Sequence, residues 1–272
     1  MKRIIQVIPG LLAMVFLFLS CEKSEMVEID FLLNESDAEL YTISEAHVQH
    51  LPQTLQNYME VAGLFGRTSS NAIKLNYAGN FKLNENADWA VMEAVTYITS
   101  EPVSRNWIGE IHSPMGKMTG LDYYYNGSGK LDIRLTPSVP FMFSDGYELS
   151  ISELIAFLGE LVYNPSACLN KQIQWEVVSE YAVRATLEDA GLSVSGIFYF
   201  DNDFLITRFE SHDRYFGDTK NQLPWIVYVD DYKTFSEIKI PTTFKAVWVK
   251  PEGEYEYINA TISDLMFDIS EL

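Results

Sequence analysis

The sequence predicts an α+β protein that is mainly β: an antiparallel meander packed against one central helix and one N-terminal helix. Three observations carry this expectation. Apolar and polar residues alternate in short runs from Asn71 onward, with turn residues between them, as strands joined by hairpins do. The stretch Ser150 to Cys168 interrupts that pattern with apolar residues at steps of three and four. Aromatic residues make up 14% of the chain and hydrophobic residues 47%, a composition that favours strands around an ample core.

The central helix is expected near residues 151–163. Ile151, Leu154, Ile155, Leu158, Leu161 and Val162 fall on one stripe at 100° per residue. Ser150 and Glu153 have the spacing of a capping box, and Pro165 is expected to end the helix. Glu153 and Glu160 stack opposite the stripe, where a solvated face is the default expectation. A first helix is expected near 52–62, with Pro52 at its first position, Leu55, Tyr58, Met59 and Ala62 facing the core, and Gly63 as its stop.

Before the central helix, strands are expected over Ile73 to Leu83, Asp88 to Thr99, Trp107 to Ile111, Thr119 to Tyr125 and Lys130 to Thr136. Asn126-Gly127-Ser128-Gly129 joins the last two as a hairpin turn, because Asn and Gly tolerate positive φ. The string Gly127-Ser128-Gly129-Lys130 is not a phosphate loop: Tyr124 stands where its first glycine belongs and Leu131 replaces the hydroxyl residue. After the helix, strands are expected over Gln172 to Val178, Tyr181 to Glu188, Leu192 to Phe200 and Phe204 to Ser211. Trp225 to Asp230, Lys239 to Pro241, Thr243 to Lys250 and Tyr255 to Asp268 close the sheet.

Residues 1–20 stand apart. Lys2 and Arg3 precede an almost wholly apolar run from Ile4 to Leu19, which ends at Phe18-Leu19-Ser20-Cys21. This resembles a bacterial lipoprotein signal peptide, with cleavage before Cys21 and acyl chains such as palmitate attached to it. The expected organisation is a signal peptide over 1–20, a lipidated cysteine and tether over 21–40, and a single antiparallel β domain over 41–272. Such a protein sits in the bacterial cell envelope, outside the cytoplasm, with the outer membrane as the expected address. Only Cys168 then remains, so no intramolecular disulfide forms.

The formal charge is −19, from 19 basic and 38 acidic side chains; loss of Lys2 and Arg3 leaves 17 against 38, or −21. A surface of that sign is repelled by phosphate backbones, which excludes nucleic-acid binding. His47 and His50 lack the further ligands of a metal site, Asp201-Asn202-Asp203 lacks the glycine and distal glutamate of a calcium loop, and no cofactor motif occurs.

Several stretches, in order, resemble an uncharacterised bacterial family, a domain of unknown function found in envelope and membrane-anchored proteins. They are Leu51-Pro52, Trp89, Trp107, LDYYYNGSGKL from Leu121, ELIAFLGELVYNPSACL from Glu153, IQWEVV around Trp175, AVRATL around Thr186 and GIFYFD ending at Asp201. Arg208, Arg214, the Trp225 strand, IKIPT before Phe244, and Trp248 continue the match to cover nearly all of 45–268. The family commonly has Arg-Tyr in the central helix where this chain has Ala156-Phe157. The resemblance implies a large antiparallel sheet curved round helices. Such a half-barrel is similar to the lipoprotein carriers LolA and LolB, which hold acyl chains in the concavity.

Three function classes follow. The first is a non-enzymatic envelope lipoprotein that binds a hydrophobic small molecule, an acyl chain or a lipid-modified envelope partner, with Trp89, Trp107, Trp175, Trp225 and Trp248 as wall candidates. The second is a surface carbohydrate- or protein-binding module built on Tyr123, Tyr124 and Tyr125, of which at most two share a strand face. The third is a hydrolase, for which the polar residues to inspect are Asp122, Glu153, Glu160, Asp201, Arg208, Arg214 and His212. No nucleophile motif or Cys/His pairing supports it. The first class ranks highest, with Tyr124 added to the five tryptophans, and with Asp122, Glu160, Arg208 and Arg214 as the polar pocket candidates.

Overall fold

In the computed structural model, residues 39–136, 138–217 and 219–269 are described. The lipidation expected at Cys21, and the segment before it, lie outside those residues. Two short helices come first, α1 (Glu45–Val48) and α2 (Gln53–Val61). Six strands follow: β1 (Ala72–Phe81), β2 (Ala90–Thr99), β3 (Ser104–Ser113), β4 (Gly116–Tyr125), β5 (Ser128–Thr136) and β6 (Val139–Asp145). The long helix α3 (Tyr147–Glu160) and two 3-10 turns, Leu161–Tyr163 and Pro165–Leu169, lead to the second series. That series is β7 (Ile173–Ser179), β8 (Ala182–Asp189), β9 (Leu192–Phe200), β10 (Ile206–Ser211), β11 (Trp225–Phe235), β12 (Ile238–Lys250) and β13 (Gly253–Phe267).

All thirteen strands belong to one sheet, in the order β6-β5-β4-β3-β2-β1-β13-β12-β11-β10-β9-β8-β7. Each series is a hairpin meander, and the two are fused where β1 pairs antiparallel with β13. The first and last strands therefore meet in the middle, and the outer edges are β6 and β7. The helix between β6 and β7 must then cross the whole width of the sheet. It packs against β3 to β6 near one edge and against β9 and β10 near the other. One helix touches both ends of a thirteen-stranded sheet only if the sheet curls round it. The expected mainly β class, with a large curved antiparallel sheet around helices, is what the chain forms. No helix among the described residues is long and apolar enough to cross a membrane.

Three local expectations are corrected. First, α3 begins at Tyr147 after Gly146, whose φ of 95° lies in the left-handed region, so Ser150 is inside the helix and is not its cap. The Ser150 hydroxyl donates to the Gly146 carbonyl and accepts from the Gly129 N–H, which fastens the helix to β5. Second, Glu153 and Glu160 do not form a solvated face; both turn toward the sheet and pair with Arg105. Third, Lys239–Pro241 and Thr243–Lys250 are parts of one strand, β12. Pro241 lies opposite Tyr232, next to the Asp231–Thr242 position, where the ladder skips one pair and Asp231 takes a positive φ of 55°. The strand β6 is an addition to the expected set.

On the β7 to β10 side the trough is filled. Phe157 and Leu158 of α3, Val183, Leu187, Phe198 and Phe209 share one buried core. Phe198 and Phe209 lie 4.8 Å apart by ring centroid, and a Cβ on Gly196 would come within 2.2 Å of the Phe209 ring. Only glycine lets that ring lie flat on the sheet. Helix α2 covers the far part of this side, where Tyr58 meets Phe200 edge-on at 5.8 Å.

Candidate functional site

The other side of the trough is hollow. A cavity of about 700 Å³ is lined by β1 to β6, β11 to β13, one face of α3 and residues 214–217, 219 and 220 of the connection between β10 and β11. Strand alternation aims its wall residues inward. Leu75 and Tyr77 come from β1, Leu131 and Ile133 from β5, and Phe244, Ala246 and Trp248 from β12. Tyr77 and Phe244 meet edge-to-face at 5.3 Å, as do Phe216 and Trp248 at 5.1 Å. The Trp225 indole N–H donates to the Tyr257 hydroxyl at 3.1 Å, which satisfies the one polar atom of that ring within the wall. The Trp107 indole lies against two glycines: a Cβ would stand 2.3 Å from it at Gly109 and 2.6 Å from it at Gly120.

Into this apolar space projects a buried ionic cluster centred on Arg105 of β3. Its Nε and Nη2 each donate to one oxygen of Glu160 at 3.0 Å, a bidentate pair. Its Nη1 donates to Asp122 Oδ2 at 3.1 Å and, in a closer contact, to Glu153 Oε2. Arg214 Nη2 reaches Glu153 Oε1 at 3.5 Å, and its guanidinium sits 4.1 Å from the Trp225 ring centroid. Glu160 and Glu153 are seven residues apart on α3, so one arginine of the sheet grips two turns of the helix. The Arg105 and Glu153 side chains are only 6% and 3% exposed, which makes this a desolvated network rather than a surface pairing.

The charges do not balance when all five groups are ionised: three carboxylates face two guanidiniums. Burial opposes the charge of Arg105, but Glu160, Asp122 and Glu153 together outweigh it and hold the guanidinium firmly protonated. Burial, with the Asp122 carboxylate beside it, pushes Glu153 up to about 8 against the downward pull of Arg105 and Arg214. A proton on Glu153 leaves two anions for two cations. Three buried atoms of cavity-lining residues have no hydrogen-bond partner: Asp122 Oδ1, Arg214 Nε and the Tyr163 hydroxyl.

Of the residues singled out by sequence, the structure brings Trp107, Trp225, Trp248, Asp122, Glu153, Glu160 and Arg214 together around this cavity. The others lie elsewhere. Trp89 is 40% exposed beneath the Lys82 ammonium. Trp175 packs on Phe198 and donates to the Cys168 carbonyl. Tyr124 is buried with its hydroxyl on Asp189, so it is no part of an exposed tyrosine platform. Arg208 alternates with inward Phe209, stacks at 3.9 Å on Tyr199 and pairs with Glu210 on the outer face. His212 also pairs with Glu210 there, and Asp201 accepts two backbone N–H bonds in its turn. Burial pushes the Cys168 thiol up to about 12, which keeps it un-ionised and unreactive. Among the described residues no group of three or more His, Cys, Asp or Glu is placed to hold a metal ion.

Arg105 and Tyr163 were not singled out. Arg105 carries a signal, since it precedes Trp107 by two and so shares its strand face, but the strand expected from Trp107 stops short of it.

This is a curved-sheet protein with a largely apolar cavity, and it belongs to the family of unknown function DUF6544, whose model matches residues 41–260. No curated protein matches it. Among solved structures it is similar to a domain described as an outer membrane lipoprotein-sorting protein from Vibrio parahaemolyticus. That likeness has 10% identity and a TM-score of 0.46, over 79% of this chain and 91% of that one. It is also similar to a LolA superfamily protein from Nitrosomonas europaea, with 14% identity and a TM-score of 0.41, over 78% of this chain and 91% of that one. A porin-like protein from Bacteroides uniformis follows at 8% identity and 0.25, over 73% of this chain and 96% of that one. At these values the likenesses define neither a ligand nor an activity.

Proposed function

We propose that this protein is a lipid-anchored binding protein of the bacterial cell envelope whose cavity takes up a hydrophobic molecule, an acyl chain or the lipid-modified end of a partner. The carrying observation is the cavity itself. About 700 Å³ lined by aromatic and aliphatic side chains falls within the roughly 300–1,000 Å³ typical of small-molecule sites. A sheet with no such task would fill its trough throughout, as the β7 to β10 side does. The anchor is the lipidated Cys21, supported by the basic, apolar and Ser20-Cys21 pattern of the first residues. It places the cavity beside a membrane, outside the cytoplasm and on the outer membrane by preference, where acyl chains are at hand.

The test is a titration of the full chain carrying Cys21→Ser, kept free of detergent, with the neutral probe N-phenyl-1-naphthylamine. Saturable binding displaced by dodecanol is expected. Ala156→Trp, which puts an indole into the cavity from α3, should abolish it. No saturable binding in the parent protein contradicts the proposal.

A further inference from the structure

Resting on the reading of that cavity as a site for apolar molecules, we propose that its rim docks on a lipid surface. The outer side of β6, the start of α3 and the neighbouring hairpin ends press into a zwitterionic bilayer. β6 is a free edge of the sheet, and its residues alternate between two surroundings. Met142 and Ser144 line the cavity, while Val139, Phe141 and Phe143 lie exposed. Tyr147, next to cavity-lining Glu148, continues that apolar lip. The connections β1–β2, β3–β4 and β5–β6 share one end of the antiparallel sheet, and the first lines the cavity through residues 82–85. Trp89 and Met115 stand exposed at that end. Each of these six side chains is at least 40% exposed. Exposed apolar side chains that gather at one site, rather than scatter singly, mark an interaction surface.

Three features select a bilayer over a protein as the occupant. Pro140 and two register irregularities against β5 interrupt the edge ladder, which blunts it against pairing with a second copy or a peptide strand. The rings carry ammonium groups: Lys82 Nζ lies 4.7 Å from the Trp89 centroid, and Lys130 Nζ lies 5.9 Å from those of Phe143 and Tyr123. Aromatic rings with lysines that extend toward phosphates are the side chains of a membrane interface. The N-terminal chain also has the reach. Tyr41 enters beside Ser69, ahead of β1 and so at the end of the sheet away from the β1–β2 connection. From position 21 to position 39 the chain spans up to roughly 60 Å when extended, against roughly 33 Å for the length of β1. A lipid on Cys21 and the rim of the cavity therefore fit on one membrane. With a formal charge of −19 the protein is repelled by anionic headgroups, so the lipid surface is a zwitterionic one.

The test floats the full chain carrying Cys21→Ser with dioleoylphosphatidylcholine vesicles and reads its tryptophan emission with and without acyl-brominated phosphatidylcholine. The parent should float. The brominated lipid should quench a component of the emission that Trp89→Phe removes, since Trp89 is the one exposed tryptophan. Phe141→Ser combined with Phe143→Ser should weaken vesicle partitioning about tenfold or more, as expected when two exposed rings no longer enter the acyl region. Binding of N-phenyl-1-naphthylamine by that variant, without vesicles, should match the parent and shows that it is folded. The same probe separates the two proposals. A parent that binds the probe but does not float overturns the docking and leaves the cavity reading standing. A parent that floats with Trp89 quenched but takes up no probe overturns the cavity reading and leaves the docking standing. Partitioning unchanged in the double serine variant overturns the docking. A dimer in solution that this variant dissolves, without flotation of the parent, assigns the lip to a second copy and overturns it as well.

Discussion

The two sides of the trough meet the same helix in opposite ways. Toward β9 and β10, α3 presents Phe157 and Leu158 to a core closed by Phe198 and Phe209, with glycine at position 196 to bring the parts closer. Toward β3 and β4 it presents Ala156, Glu153 and Glu160, and what it meets is a cavity and an arginine. Packing alone holds one side. On the other, ion pairs hold the helix off the sheet at a fixed height, which lets the space beneath exist without collapse. A hollow cannot be kept open by hydrophobic contact, because the contact would close it; a directional, bidentate clamp can.

The clamp offers the largest way to break this contrast. Arg105→Leu strands Glu160, Asp122 and Glu153 in a buried site and should cost about 3–5 kcal/mol, read as a lowered urea midpoint, with ligand binding lost as the helix shifts. Paired truncations sharpen the comparison next. Phe209→Ala opens a void in a filled core and should cost about 3–5 kcal/mol. Phe244→Ala removes a ring that already faces the cavity, so its cost should fall clearly below that of Phe209→Ala while affinity for an apolar probe drops more. Equal costs would mean that the two sides are packed alike. Gly120→Ala sets a Cβ against the Trp107 indole and should drive it into the cavity, at about 1–3 kcal/mol and with weaker binding.

A further effect is a pH dependence carried by Glu153, which faces Arg105, Arg214, Asp122 and, through Arg105, Glu160. Its carboxyl is raised in the folded protein from 4.5 to about 8, so between those values the native state binds a proton that the unfolded chain releases. Its contribution to stability is therefore fully present below pH 4.5 and is lost as pH rises from there through 8. Glu153→Gln should flatten that decline, seen as a smaller fall in melting temperature between pH 5 and 8 than the parent shows.

The strands were legible because alternation is local, and so was the Asn126-Gly127 turn, whose φ values of 47° and 77° match what those residues tolerate. The helix was legible in its apolar stripe but not in its start, since Ser150 and Glu153 have the spacing of a cap. Both are instead spent on tertiary bonds, to Gly129 of β5 and to Arg105 of β3. Reading Glu153 and Glu160 as a solvated face failed for the same reason: their partner lies 48 and 55 residues away, beyond any periodicity. The aromatic walls were half legible, because a tryptophan in a strand announces burial but not whether it faces a core or a cavity. Trp175 and Trp225 look alike in sequence; only the path of α3 across the sheet separates them.

The central claim, that one side of the trough is a ligand-binding cavity and the other a filled core, is tested most directly by native mass spectrometry of the full chain carrying Cys21→Ser. The protein should be made in a bacterial host and purified without detergent, with organic extraction of the same sample and Ala156→Trp run beside it. The account predicts an adduct of one apolar or amphiphilic molecule on the parent protein, extractable and missing from Ala156→Trp. Identical adduct-free masses for both proteins, with no extractable lipid, would contradict it.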